Sequence, residues 1–173
     1  MTIGVVTYRI LIGLTVLAYA VVVTGPGRVV QESAGGVTLF DLAIFGYDVE
    51  HAARLMTALG AEGIARYREW LIPADLAFAG LFTLALGLTG LRLTVDMEPP
   101  LPTAMAALCA LPGLCDIAEN LAIAVVLAGD AAAPDAGAVA RASLLTQAKW
   151  ASLALAVLTL GALFWRLRTK RNR

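Results

Sequence analysis

Histidine occurs once in this chain, as His51, so the sequence lacks the cluster of imidazoles that a multi-histidine zinc or haem site needs. Neighbouring Asp48 and Glu50 read as a solvated helix start, and neither a metal nor a cofactor is expected. Cysteine is nearly as scarce. Cys109 and Cys115 stand six positions apart in one apolar stretch, on different sides of a 3.6-residue helix. That spacing argues against a disulfide or a shared metal and for two small hydrophobes. Surplus charge is missing too: 13 basic residues balance 13 acidic ones, and nothing points to nucleic acid as a partner. A glycine-rich phosphate loop, a nucleophile elbow and a Ser/His/Asp arrangement are likewise absent, which disfavours the hydrolase chemistry of soluble enzymes.

What the chain has in abundance is apolar length. Of its 173 residues 60% are hydrophobic, and the mean hydropathy of +0.80 lies well outside the soluble globular range. Four runs approach the ~20 residues that a bilayer core of about 30 Å requires; they cover about 5–25, 71–91, 103–128 and 143–165. Gly25-Pro26-Gly27, Arg92, Gly129-Asp130 and a basic tail punctuate them in turn. Backbone polar groups in lipid must be satisfied within their own segment, so unbroken runs of this length suit helices better than barrel strands. The expected fold is all-α: a four-helix transmembrane bundle, one integral membrane domain over 1–173, with an amphipathic helical segment between spans one and two. Arg9, the apolar run from Ile10 and Ala18-Tyr19-Ala20 imitate a secretory signal with its cleavage site. The run continues through Val23, and an uncleaved first span is expected.

An even number of spans puts both termini on one side. The tail Arg166, Arg168, Lys170, Arg171, Arg173 assigns that side to the cytoplasm, and Arg92 in the connection between spans two and three agrees. Arg28, Arg54, Arg66 and Arg68 in the first connection pull the other way, although six acidic residues accompany them. That connection is too hydrophobic for a plain loop. Over about 47–70 Val49, Ala52, Ala53, Met56 and Leu59 follow helical spacing, Gly60 breaks it, and a short second helix leads to Trp70. The segment is expected to lie on the outer membrane surface with Tyr67 and Trp70 at headgroup level, as a lid over the bundle. Residues 130–140, rich in Ala, Gly and Pro, read as an exposed loop.

Asp116, Glu119 and Asn120 sit in the middle of the third apolar run, and Lys149 in the fourth. A charge at such depth costs about 2.5–3.5 kcal/mol on insertion scales, so residues of this kind face a protein interior and mark a functional site by default. Cys109, Pro112, Gly113, Asp116, Glu119, Asn120 and Ile123 recur at i, i+3 and i+4 and share one stripe. Pro112 frees the carbonyl of Leu108, and Gly113 permits close helix approach. At about 1.5 Å of rise per residue, Glu119 lies roughly 13 Å below the outer face and Lys149 roughly 10 Å, so an ion pair between the two spans is allowed. Thr146, Asp75 and Tyr19 are expected at the same level, with Tyr8, Thr15 and Tyr19 forming an inward polar stripe on span one.

A cluster of this kind can move protons in coupled steps, and Asn120 can hold a carbonyl or hydroxyl. The competing reading is a satisfied polar network that keeps spans three and four in register, with contributions averaging about 0.6 kcal/mol per hydrogen bond. For Arg54, Glu62, Arg66, Arg68 and Glu69 the simple reading is an exposed charged face; the alternative has Arg66 or Arg68 capping the site against phosphate headgroups.

Gly60-Ala-Glu-Gly63, Tyr67, Asp75, Asp116-Ile-Ala-Glu119-Asn120 and Lys149-Trp150 together resemble a broad group of small bacterial four-span membrane proteins of uncharacterised function. The resemblance covers most of 40–155, with Asp-x-x-Glu-Asn plus Lys-Trp its most specific element. It departs at Gly63-Ile64, where Gly-Arg is expected. It implies no activity, only that the polar residues act as one unit.

The residues thus lead to a small inner-membrane protein whose pocket of Asp75, Asp116, Glu119, Asn120, Thr146, Lys149, Tyr19 and Arg66 binds an amphiphilic small molecule or lipid, with proton coupling. One alternative is an intramembrane enzyme acting on a lipid or isoprenoid, with Asp116 or Glu119 as proton donor tuned by Lys149. Another is an accessory subunit of a larger complex, or a homodimer, docking through Gly80, Gly87 and Gly90 of span two.

Overall fold

A computed structural model describes the backbone of residues 4–171. It is helical throughout, with no strand among the described residues, and four of its helices are long and apolar enough to cross a membrane. The chain is therefore an integral membrane protein built as a four-helix bundle. The side chains of Lys170 and Arg171, and all of Arg173, fall outside the described residues, so of the basic tail only Arg166 and Arg168 are described.

α1 covers Val5–Val22. Its outer face carries Val6, Ile10, Leu14 and Leu17, all exposed, as a lipid-facing helix requires. Gly25-Pro26-Gly27 interrupts the helix with a kink, as its composition predicts, but a second short helix follows. The chain passes through a π-helical turn, Val23–Gly27, with Gly25 outside helical geometry, and continues as α2, Arg28–Ser33. Pro26 has no N–H to donate, and the chain kinks where the widened turn absorbs that loss.

Residues 34–48 follow, with a 3₁₀ turn at Phe40–Leu42. α3, Val49–Arg66, opens on Asp48, whose carboxylate accepts the His51 N–H at 2.8 Å. Gly60 interrupts it at φ 60°, ψ −176°, a conformation that favours glycine because it has no Cβ. Another π-helical turn, Tyr67–Leu71, joins α3 to α4, Ile72–Thr94. α5 covers Leu101–Val126 and α6 Ala136–Arg171, which starts seven residues before the expected boundary at 143.

The first connection is a packed cap more than a surface helix. Ala52, Leu55, Met56 and Leu59 of α3 join Val30, Leu39, Phe40 and Tyr67 and the α5–α6 end residues Ile123, Val126 and Val139 in one apolar core. Tyr67, expected at headgroup level, is 1% exposed within it, whereas Trp70 is exposed as expected.

In the bundle α1 packs on α4, α4 on α5 and α5 on α6, while α1 and α6 touch only sparsely. The ring of helices is open on that side. The α4–α5 seam is the tightest, because glycines bring the backbones together. A Cβ on Gly113 would stand 2.9 Å from the Thr83 nitrogen and 3.0 Å from the Ala79 oxygen, and one on Gly90 would stand 2.6 Å from the Met105 oxygen. Gly87 and Gly90 thus serve contacts inside the chain and do not form the outward docking face that their spacing had offered. Gly80 meets nothing within 4 Å.

Candidate functional site

The polar stripe of α5 faces inward. Asp116, Glu119 and Asn120 are all buried, together with Pro112, Gly113 and Ile123. Turning this stripe toward lipid would expose charge to hydrocarbon, so packing it against α4 and α6 is the low-energy choice.

Lys149 of α6 meets it. Its Nζ lies 2.5 Å from Glu119 Oε2 and 3.3 Å from Asp116 Oδ1. Glu119, fully buried, also accepts from the Thr146 hydroxyl at 2.6 Å through Oε1, so both carboxylate oxygens are engaged. The Asn120 amide donates to Asp75 Oδ2 at 2.8 Å and to the Asp116 backbone carbonyl at 3.0 Å. One network thereby ties α4, α5 and α6 together, as buried charge demands.

Asp41 completes it and was not singled out by the sequence. The 3₁₀ turn lowers this residue onto the bundle, where its backbone carbonyl accepts from Lys149 Nζ at 3.4 Å and from the Trp150 indole at 3.1 Å. Its carboxylate takes the Tyr67 hydroxyl at 2.7 Å. Phe40 beside it packs at tilted and edge-on angles against the rings of Tyr47, His51 and Tyr67. The Tyr47 N–H donates to Ser143 Oγ at 2.8 Å, pinning the end of the loop to α6. Burial pushes the Tyr47 phenol above its ordinary range against a smaller opposing effect of Thr146, and the nearby Glu119 and Asp41 carboxylates add to the rise.

Beneath Asp41 lies a cavity of about 500 Å³ in the gap between α1 and α6. Asp41, Asp75, Asp116 and Lys149 give it a polar wall, while Val16, Val22, Phe78, Phe82, Trp150 and Leu153 make the remainder apolar. Thr15, buried as the expected inward stripe requires, lines it from α1 with Tyr19, which is 56% exposed and does not turn fully inward, and Tyr8 at the other end bonds Thr89 at 2.7 Å.

No family model, curated protein or solved structure matches this chain.

Of the residues expected to form one pocket, Asp75, Asp116, Lys149 and Tyr19 reach the cavity. Glu119, Asn120 and Thr146 stand behind it, orienting the others. Arg66 does not join them. Its guanidinium pairs with Glu62 one turn away on α3, so it does not cap the site. Cys109 is buried near Gly90 on the α4–α5 seam and acts as a small apolar filler.

Proposed function

We propose that this protein, set in the bacterial inner membrane with both termini in the cytoplasm, binds an amphiphilic small molecule or lipid in the cavity between α1 and α6. The polar end of the guest meets Asp41, Asp75, Asp116 and Lys149, and its hydrocarbon lies along Phe78, Phe82 and Leu153. The observation that carries this reading is the two-part wall of the 500 Å³ space: a small set of convergent polar groups at one side of an otherwise apolar cavity is how small-molecule sites are built. Asp-x-x-Glu-Asn and Lys-Trp supply Asp116 and Lys149, two of those four polar groups, and we extend the same assignment to the four-span proteins that this chain resembles.

Mass spectrometry of molecules that co-purify with the protein tests it. Wild type is expected to carry an amphiphile that Leu153→Trp, which fills the cavity from α6, releases while circular dichroism stays unchanged. Identical profiles for the two proteins remove the support.

A second reading follows from Asp75 and Asp116 both reaching the cavity wall. Carboxyls so placed can exchange a proton with a bound lipid or isoprenoid, as a general acid–base enzyme or a proton-coupled carrier requires. Turnover by wild type that is lost in a folded Asp116→Asn protein separates chemistry from simple binding.

A further inference from the structure

We infer that the guest of this cavity carries a positively charged head, an amine or quaternary ammonium on a hydrocarbon chain. The inference rests on the amphiphile reading and adds the chemical class of the head.

Acidic groups outnumber basic ones around the cavity. Asp41, Asp75, Asp116 and Glu119 contribute four carboxyl groups, and Lys149 is the one basic side chain among the described residues that pairs with any of them. Its ammonium is already engaged by Glu119 at 2.5 Å and by Asp116 at 3.3 Å. Asp75 and Asp41 reach the cavity wall, yet the side-chain partner of each is neutral: the Asn120 amide for Asp75 and the Tyr67 hydroxyl for Asp41. Such donors give a buried carboxyl no counter-charge, and an acid in that position holds its proton until a cation pairs with it. An anionic head would find the ammonium occupied and meet only acids. A neutral head supplies no counter-charge. A cation pairs with these acids in their ionised form.

The apolar wall fits the same guest. Tyr19, Phe78, Phe82 and Trp150 line the space, with Tyr19 and Phe78 5.5 Å apart at 48° and Phe78 stacked on Phe82 at 5.2 Å. Ring faces attract ammonium groups, and aromatic cages bind alkylated ones for that reason. The Lys149 ammonium lies 5.7 Å from the Trp150 ring centroid, so this indole already faces a cation.

Brominated dodecyl amphiphiles with trimethylammonium, maltoside or sulfate heads test the inference. The reporter is Trp150 fluorescence in full-length protein carrying Trp70→Phe and Trp165→Phe, held in nanodiscs of zwitterionic lipid. The trimethylammonium compound is expected to quench at roughly tenfold lower mole fraction than the maltoside, and the sulfate to quench least. Asp75→Asn is expected to erase most of that preference and Asp75→Glu to keep it. Equal quenching by all three heads overturns the cationic assignment and leaves the amphiphile reading intact, and so does a preference that survives in folded Asp75→Asn. Quenching by none of them overturns the amphiphile reading itself. If Asp75→Asn fails to fold, the wild-type series alone decides.

Discussion

Lys149 is held from two sides, by Glu119 and Asp116, and both acids are buried. Lys149→Met leaves two carboxylates with no counter-charge, and removing one partner of a buried pair costs about 3–5 kcal/mol. Detergent-unfolding titrations are expected to show a loss of that size, with Lys149→Met/Glu119→Gln recovering a large part because the neutral amide needs no cation. A double variant no more stable than Lys149→Met would show that the pair is not a coupled unit. Tyr47 gives a pH-dependent expectation. Burial raises its phenol, so the folded state holds that proton more firmly than the unfolded chain does. The contribution is intact below the ordinary tyrosine value of about 10 and is lost as pH rises past it. Tyr47→Phe is therefore expected to flatten the alkaline branch of thermal melts, and an unchanged branch counts against the assignment. At this scale the acids of α5 and Lys149 were legible because charge inside an apolar run stands out against its surroundings. Asp41 was not. It reaches Lys149 across 108 positions of chain, and a loop residue leaves no periodic trace of the helix it will touch.

Among the elements, the α4–α5 seam depends on residues that have no side chain. Gly113→Val would drive a Cβ into the Ala79 carbonyl and the Thr83 nitrogen, and crowding of that kind costs about 1–3 kcal/mol. Gly80→Val on α4 meets open space and is expected to leave stability nearly unchanged. Comparable losses for both variants, read by the same titration, would show that the seam is not the cause. The spans themselves were readable as apolar runs, since hydrocarbon leaves the backbone few other options. Their ends were less so. Gly25-Pro26-Gly27 carries every mark of a stop and does kink the chain, but the short helix that follows it to Ser33 left no separate signal. Gly60 did act as the break its type implies, because its backbone takes a positive φ. Tyr67 was misplaced because an amphipathic ring suits a headgroup layer and a buried hydrogen bond to Asp41 equally well.

For the whole molecule, bundle and span number followed from composition and run length, whereas the cap with its own apolar core did not. Four of its members, Val30, Phe40, Met56 and Val139, come from four separate stretches, and only the folded topology makes them neighbours. Orientation is open to direct measurement. In protein lacking Cys109 and Cys115, Asp130→Cys lies in the α5–α6 connection and Asp96→Cys in the α4–α5 connection, at opposite ends of α5. A membrane-impermeant maleimide applied to intact cells is expected to label the first and spare the second, and the reverse pattern would turn the protein over. The sparse contact between α1 and α6 has a further consequence. For the amphiphile proposed above that gap is a doorway on the flank of the bundle, through which a hydrocarbon tail would slide from the leaflet without ever crossing water. Occupancy would then follow how crowded the bilayer is with such molecules, and their aqueous solubility would hardly matter.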